Sequence, residues 1–177
     1  MGSNWEEKQE TFSLARWEPT PLETVKSMLE LAKVNSKDKV YDLGCGDARI
    51  LIMAVKEFGA KRAVGYEIRQ DLCEGSKKEI RRQHLQKRIS VIKGNLLDAD
   101  VSEASVITLY LYPTANEILR PKLEKETKFG TRVVSHEHLI ETWQIAETKE
   151  YSGETLYLYI VPEAFQISSS HGNANKR

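Results

Sequence analysis

The sequence predicts an α/β chain built on a seven-stranded sheet, mostly parallel, with one reversed edge strand. Apolar, β-branched runs alternate with helical stretches from Pro21 to Ser135, as repeated β/α units require. The glycine turn Gly44-Cys45-Gly46 joins the first strand directly to a helix. A turn at Tyr151-Ser152-Gly153 sits between two further strand-like runs and supplies a C-terminal hairpin, hence the reversal.

Each element can be read in order. Thr20-Pro21-Leu22-Glu23 has the form of a capping box with proline at the first helical position, and Leu22, Val25, Leu29 and Ala32 recur at helical spacing. Strand one is Lys39 to Leu43. The helix after it runs from near Ala48 to Phe58 and stops at Gly59. Strand two is Arg62 to Ile68. Asp71-Leu72-Cys73-Glu74 reads as a second capping box, opening a basic helix to about Gln86. Strand three is Ile89 to Lys93, followed by the turn Gly94-Asn95. Ser105 to Leu111 is apolar and β-branched, as a buried central strand should be. Thr114-Ala115-Asn116-Glu117 caps the next helix, in which Pro121 is a kink point. Gly130 ends it, and strand five is Thr131 to Ser135. Trp143 to Lys149 and Glu154 to Val161 form the hairpin. Residues 1–18 read as a polar arm carrying Trp5, Phe12 and Trp17, residues 19–166 as the folded domain, and residues 167–177 as a disordered Ser/Asn/Gly-rich tail.

Composition excludes several classes. The 177 residues suffice for one domain with a core. Lysine and arginine together number 26, as do aspartate and glutamate, so no global field draws the chain to nucleic acid or anionic lipid. Cys45 and Cys73 lack the spacing of a metal or redox motif. No run is long and apolar enough for a membrane segment, and no signal-peptide core opens the chain, so the expected location is cytoplasmic.

The run Val40-Tyr41-Asp42-Leu43-Gly44-Cys45-Gly46-Asp47-Ala48-Arg49 carries the chemistry. A Gly-x-Gly turn at a strand's C-terminal end lets the backbone approach a ligand that a Cβ would block. Glu67 ends the next strand about 20 residues on, the spacing that grips a ribose. The ligand is therefore a nucleoside cofactor. A dinucleotide site needs a third glycine, where this chain has Arg49, and Asp42 and Asp47 would repel a pyrophosphate. S-adenosylmethionine has no phosphate, and its methionine end bears an ammonium and a sulfonium that acids attract. It is the expected cofactor.

This order of elements, with Asp-x-Gly-x-Gly on strand one and an acid after strand two, resembles the Rossmann-like seven-stranded class I S-adenosylmethionine-dependent methyltransferases over about residues 19 to 161. Four segments narrow the resemblance. They are Pro19-Thr20-Pro21, the run Tyr41 to Asp47, Thr108 to Pro113 with Asn116-Glu117 and Arg120-Pro121-Lys122-Leu123, and Gly130 to His136. Together they are similar to the small archaeal protein-lysine N-methyltransferases and their mitochondrial relatives. The resemblance implies that Asp42, Gly44 and Gly46 hold the methionine moiety and Glu67 the ribose. It implies that Asn95 meets the adenine, offering donor and acceptor together, with Thr20 and Leu96 completing the cofactor set. Ala48 stands where that family usually has glycine, a change expected to cost little because alanine is a good helix former.

On the acceptor side, Tyr110 and Tyr112 lie where strand four ends, on one face with Thr108, and are the candidate catalytic residues. Aromatic walls desolvate an amine and steady cationic groups. His136 and His138 share a strand face but have no third ligand at close spacing, so no metal site is expected; His136 instead borders the acceptor channel. Lys77, Lys78, Arg81 and Arg82 read as a solvated helix face. The leading function is methyl transfer to exposed lysines of protein substrates, with nucleic acid disfavoured as a partner. An RNA or small-metabolite methyltransferase and a non-catalytic methyltransferase-like subunit are the alternatives. Strand four ends in Tyr-Leu-Tyr-Pro, not the Asn/Asp-Pro-Pro-aromatic turn associated with amide or adenine methylation.

Overall fold

A computed structural model describes residues 18–165. The expected arm around Trp5, Phe12 and Trp17 and the expected tail 167–177 lie outside the described residues. The element order is α1 (Leu22–Leu31), β1 (Lys39–Leu43), α2 (Arg49–Lys56), β2 (Arg62–Glu67), α3 (Gln70–Arg82), β3 (Ile89–Lys93), a 3-10 turn (Leu96–Asp98), β4 (Val106–Leu109), α4 (Pro113–Glu126), β5 (Arg132–His136), β6 (Glu147–Tyr151) and β7 (Glu154–Ile160).

The seven strands form one sheet in the order β3-β2-β1-β4-β5-β7-β6. Strands β1 to β5 pair in parallel, and the hairpin joins antiparallel through β7 on β5. The expected fold class is therefore the observed one. Strand order reverses between β1 and β4, and open α/β sheets hold ligands outside the carboxyl ends of strands at such a switch point.

Strand alternation divides the core. Val40, Ala63, Val106, Val134 and Leu156 face α1, α2 and α3. Tyr41, Leu43, Ile107, Leu109 and Val133 face α4 and the cluster of Trp143, Tyr159 and Ala164. Asp42 points to the first of these faces, and its register partner on β4 is Thr108.

The expected helix starts are wrong in detail. Helix α1 begins with Pro21 at its cap, α3 with Arg69 and α4 with Tyr112, and none receives a side-chain capping bond. Thr20 is buried at the cleft, and Asp71 accepts from Arg69. Helix α3 ends at Arg82, short of Gln86, where His84 takes a positive φ of 59°. Strand β4 stops at Leu109, so Tyr110 and Tyr112 lie in the loop beyond it. Pro121 lies inside α4 without ending it.

Candidate active site

The turn after β1 is shaped by what packs beneath it. Gly44 and Gly46 have φ of 99° and 51°, which favours glycine. Gly44 N and Cys45 N both donate to Tyr66 O, tying the turn to β2 at 2.9 and 3.0 Å. A Cβ at Gly65 would lie 2.5 Å from Cys45 Sγ and 2.6 Å from Leu51 Cδ1, so only glycine there lets Cys45 sink under the turn. Burial pushes the Cys45 thiol well up, which keeps it protonated and inert.

Asp47, expected to repel phosphate, is neutralised instead. Arg49 Nη2 and Nε bond its carboxylate at 2.6 and 2.9 Å, while Nη1 donates to Thr20 O at 2.8 Å. One guanidinium thus pins Thr20, at the entry to α1, onto the glycine turn. The acid left to face a ligand cation is Asp42. It is buried and accepts from Thr108 Oγ1 at 2.9 Å. Burial, opposed by that bond and aided by Glu67 and Asp47, raises its carboxyl to about 7.

Ala48 is the other correction. It is not helical but caps α2 in the left-handed region at φ 67°. Its cost is backbone strain of about 1–2 kcal/mol, not a matter of helix propensity.

Glu67 is 6% exposed, and both of its oxygens accept backbone N–H groups. Gly46 N bonds Oε2 and Arg69 N bonds Oε1, each at 2.8 Å. These bonds fix the carboxylate, and each oxygen retains a lone pair for a hydroxyl. Asn95 caps the 3-10 turn, accepting from Leu97 N at 2.9 Å, which leaves its NH2 as the group free to meet a base edge. Leu96 lies beside it.

These residues surround one cleft of about 390 Å3 at the switch point. Asp42, Gly44, Glu67, Asn95, Leu96 and Thr20 line it, and so do Tyr110 and Tyr112. Of the expected cofactor residues, only Gly46 does not line it; that glycine acts through Glu67. The fit to S-adenosylmethionine is good: a fixed carboxylate suits a diol, a buried acid suits a cation, and at the turn Arg49 is committed to Asp47 and not open to a phosphate.

The far end of the cleft has its own construction. The β4–β5 register, Thr108 with Val134 and Leu109 with Ser135, points one step further to Tyr110 beside His136. Their rings pack against each other at a tilt of 38°, with centroids 4.1 Å apart. Tyr112 lies 5.8 Å from His138 in the same way. Tyr110 Oη donates to Glu137 Oε2 at 3.0 Å, and burial with that carboxylate pushes the phenol up. His136 is fully buried behind Tyr110 and does not line the cleft, contrary to expectation. Burial holds its imidazole below the ordinary value. Its Nε2 lies 3.1 Å from Glu154 Oε2, within ion-pair distance but off the hydrogen-bonding axis. Donor atoms of His136, Glu137 and Glu154 lie within 4.8 Å of one another; His138 is not among them.

Sequence reasoning did not find Glu137 or the Arg49 clamp. Arg49 was readable only as a missing glycine, and nothing local marks Glu137.

A family model described as the ANTKMT methyltransferase domain matches residues 42–147. A protein-lysine N-methyltransferase of Saccharolobus islandicus is 47% identical over 149 residues, covering 82% of this chain and 92% of the relative. An adenine nucleotide translocase lysine N-methyltransferase of Mus musculus is 28% identical over 134 residues, 76% of this chain and 58% of the relative. A crystal structure of an RNA methyltransferase from Salinibacter ruber with S-adenosyl-L-homocysteine has 42% identity and a TM-score of 0.80, covering 82% of this chain and 95% of that one.

Proposed function

The chain belongs to the ANTKMT methyltransferase family, and from that premise we propose that it transfers methyl groups to lysine side chains of proteins. It is an S-adenosylmethionine-dependent methyltransferase. The cofactor supplies an electrophilic methyl on a sulfonium. Asp42, Gly44 and Gly46 hold its methionyl end, Glu67 the ribose diol, Asn95 and Leu96 the adenine, and Thr20 the rim.

The observation that carries the choice of lysine is the charge of the cleft. Among the described residues, its lining has five acids, Glu18, Asp42, Asp47, Glu67 and Glu137, and two arginines: Arg49 pairs with Asp47 and Arg69 with Asp71, which leaves four lining acids without a basic partner in the lining. A polynucleotide backbone entering there would meet carboxylates and no free cation, whereas RNA recognition rests on unpaired Lys and Arg. A cationic acceptor meets the opposite field. Tyr110 and Tyr112 then give the acceptor aromatic walls. Taking an amine out of water favours its neutral, nucleophilic form, and the walls hold it in line with the methyl.

RNA remains the competing reading because of the 42% identical structure's own name. The purified protein, labelled S-adenosylmethionine and a cell extract decide between them. Label that survives ribonuclease and is lost with protease supports lysine transfer. Label lost with ribonuclease contradicts it.

A further inference from the structure

The backbone at Glu137 is unusual for a residue with a side chain. Its φ is 60°, and His138 N donates to His136 O at 2.7 Å across it. That is a left-handed γ-turn, a rare and strained conformation. The surroundings hold it in place. Glu137 N donates to Thr155 O at 2.7 Å, and the His138 carbonyl accepts from Ser135 Oγ and from Asn116 Nδ2. Strain maintained by so many partners is found where a side chain must be aimed.

The Glu137 carboxylate is exposed, lines the cleft and lies at Tyr110, just past the end of β5. Tyr110 fixes one of its oxygens and Tyr112 stands nearby on the rim. With one oxygen committed to Tyr110, it has a second oxygen to offer. The arrangement is a carboxylate with aromatic faces at the entry, a combination that suits an alkylammonium.

Resting on the lysine reading above, we infer that Glu137 is the substrate-recognition residue that captures the acceptor ammonium at the mouth of the cleft. Tyr110 is a positioning residue for it. The ammonium docks on Glu137 and loses its proton to water at the open mouth. The neutral amine then advances between Tyr110 and Tyr112, where the N–C bond forms as the C–S bond of the cofactor breaks. Glu137 therefore acts on substrate capture more than on the transfer step, because a carboxylate held against the amine would favour its protonated form.

The test is steady-state methylation of a lysine-bearing protein substrate by wild type, Glu137→Gln and Glu137→Gly. Melting temperature and cofactor affinity are measured in parallel. Glu137→Gln keeps a carbonyl for the Tyr110 hydroxyl and loses only the charge. It is expected to raise KM about five- to tenfold, with kcat changed less and cofactor affinity unchanged. The KM gap should shrink as salt is raised. Glu137→Gly should also raise KM while raising the melting temperature, since the strain is released. A Glu137→Gln KM equal to wild type overturns the inference, as does a loss confined to kcat or to stability. Failure of wild type to label any protein while labelling RNA overturns the lysine reading itself, and the two failures are therefore distinct.

Discussion

At the residue scale, two carboxylates do different work within the same cleft. Asp42 has a carboxyl raised to about 7 in the fold against 3.8 for the free group, so the folded state favours its protonated form. Its ionisation therefore costs nothing below about pH 4, costs progressively more as pH rises toward 7, and costs a constant amount above. A cofactor cation placed beside it reverses that preference. Cofactor affinity should strengthen from about pH 5.5 to pH 7, by up to roughly tenfold per unit, then level off. The apoprotein should lose melting temperature over the same range relative to Asp42→Asn. Calorimetry and melting curves check both, and a pH-independent affinity would show that no cation sits beside Asp42. Glu67 is held by two backbone donors, so Glu67→Ala removes the ribose contacts and leaves Gly46 N and Arg69 N without their acceptor. A loss of about 1.5–3 kcal/mol in cofactor binding is expected. Tyr110 and Tyr112 divide along the same lines. Tyr112 is half exposed, so Tyr112→Ala should lower turnover with little change in melting temperature, whereas Tyr110→Ala removes the ring packed on buried His136 and should lower both. Equal stability losses in the two variants would make both tyrosines packing residues.

At the element scale, the turn into α2 shows what sequence rules reach and where they stop. Gly44, Gly46 and Glu67 could be singled out because a strand-turn-helix followed by a distant acid is the layout of a nucleoside-cofactor site. The role of Ala48 was not, because propensity treats it as helical while it stands one residue outside the helix at a positive φ. Ala48→Gly is accordingly expected to be within about 1 kcal/mol of neutral, since released strain offsets the lost buried methyl. Ala48→Val should destabilise by about 3 kcal/mol or more, a β-branched residue being doubly unsuited to a buried left-handed site. Thermal denaturation separates the two. The capping boxes failed for a related reason: Asp71 had the right spacing, but its carboxylate is taken by Arg69, a competition that no local pattern displays.

At the scale of the whole molecule, topology turns separate signals into a site. Strand periods and turn residues were enough to place seven strands and the reversed hairpin, and strands β1 and β3 have the expected bounds. The acceptor end was only half readable. Tyr110 and Tyr112 follow from position at the end of a central strand, but the Tyr110–His136 contact depends on β4–β5 register and the placement of Glu137 on a backbone turn, and neither is written in a local pattern. Register also explains why the acids lie at one end of the sheet: β1, β2 and β5 all deliver their C-terminal residues there. That concentration of carboxylates, with both lining arginines neutralised, is the basis for a cationic acceptor. The most direct test is the chemical identity of the methylated product. Labelled acceptor from the reaction is hydrolysed to its monomers and the labelled compound is separated and identified. Methylated lysine is the predicted result, and label recovered in a nucleoside or in an amino acid other than lysine would contradict the account.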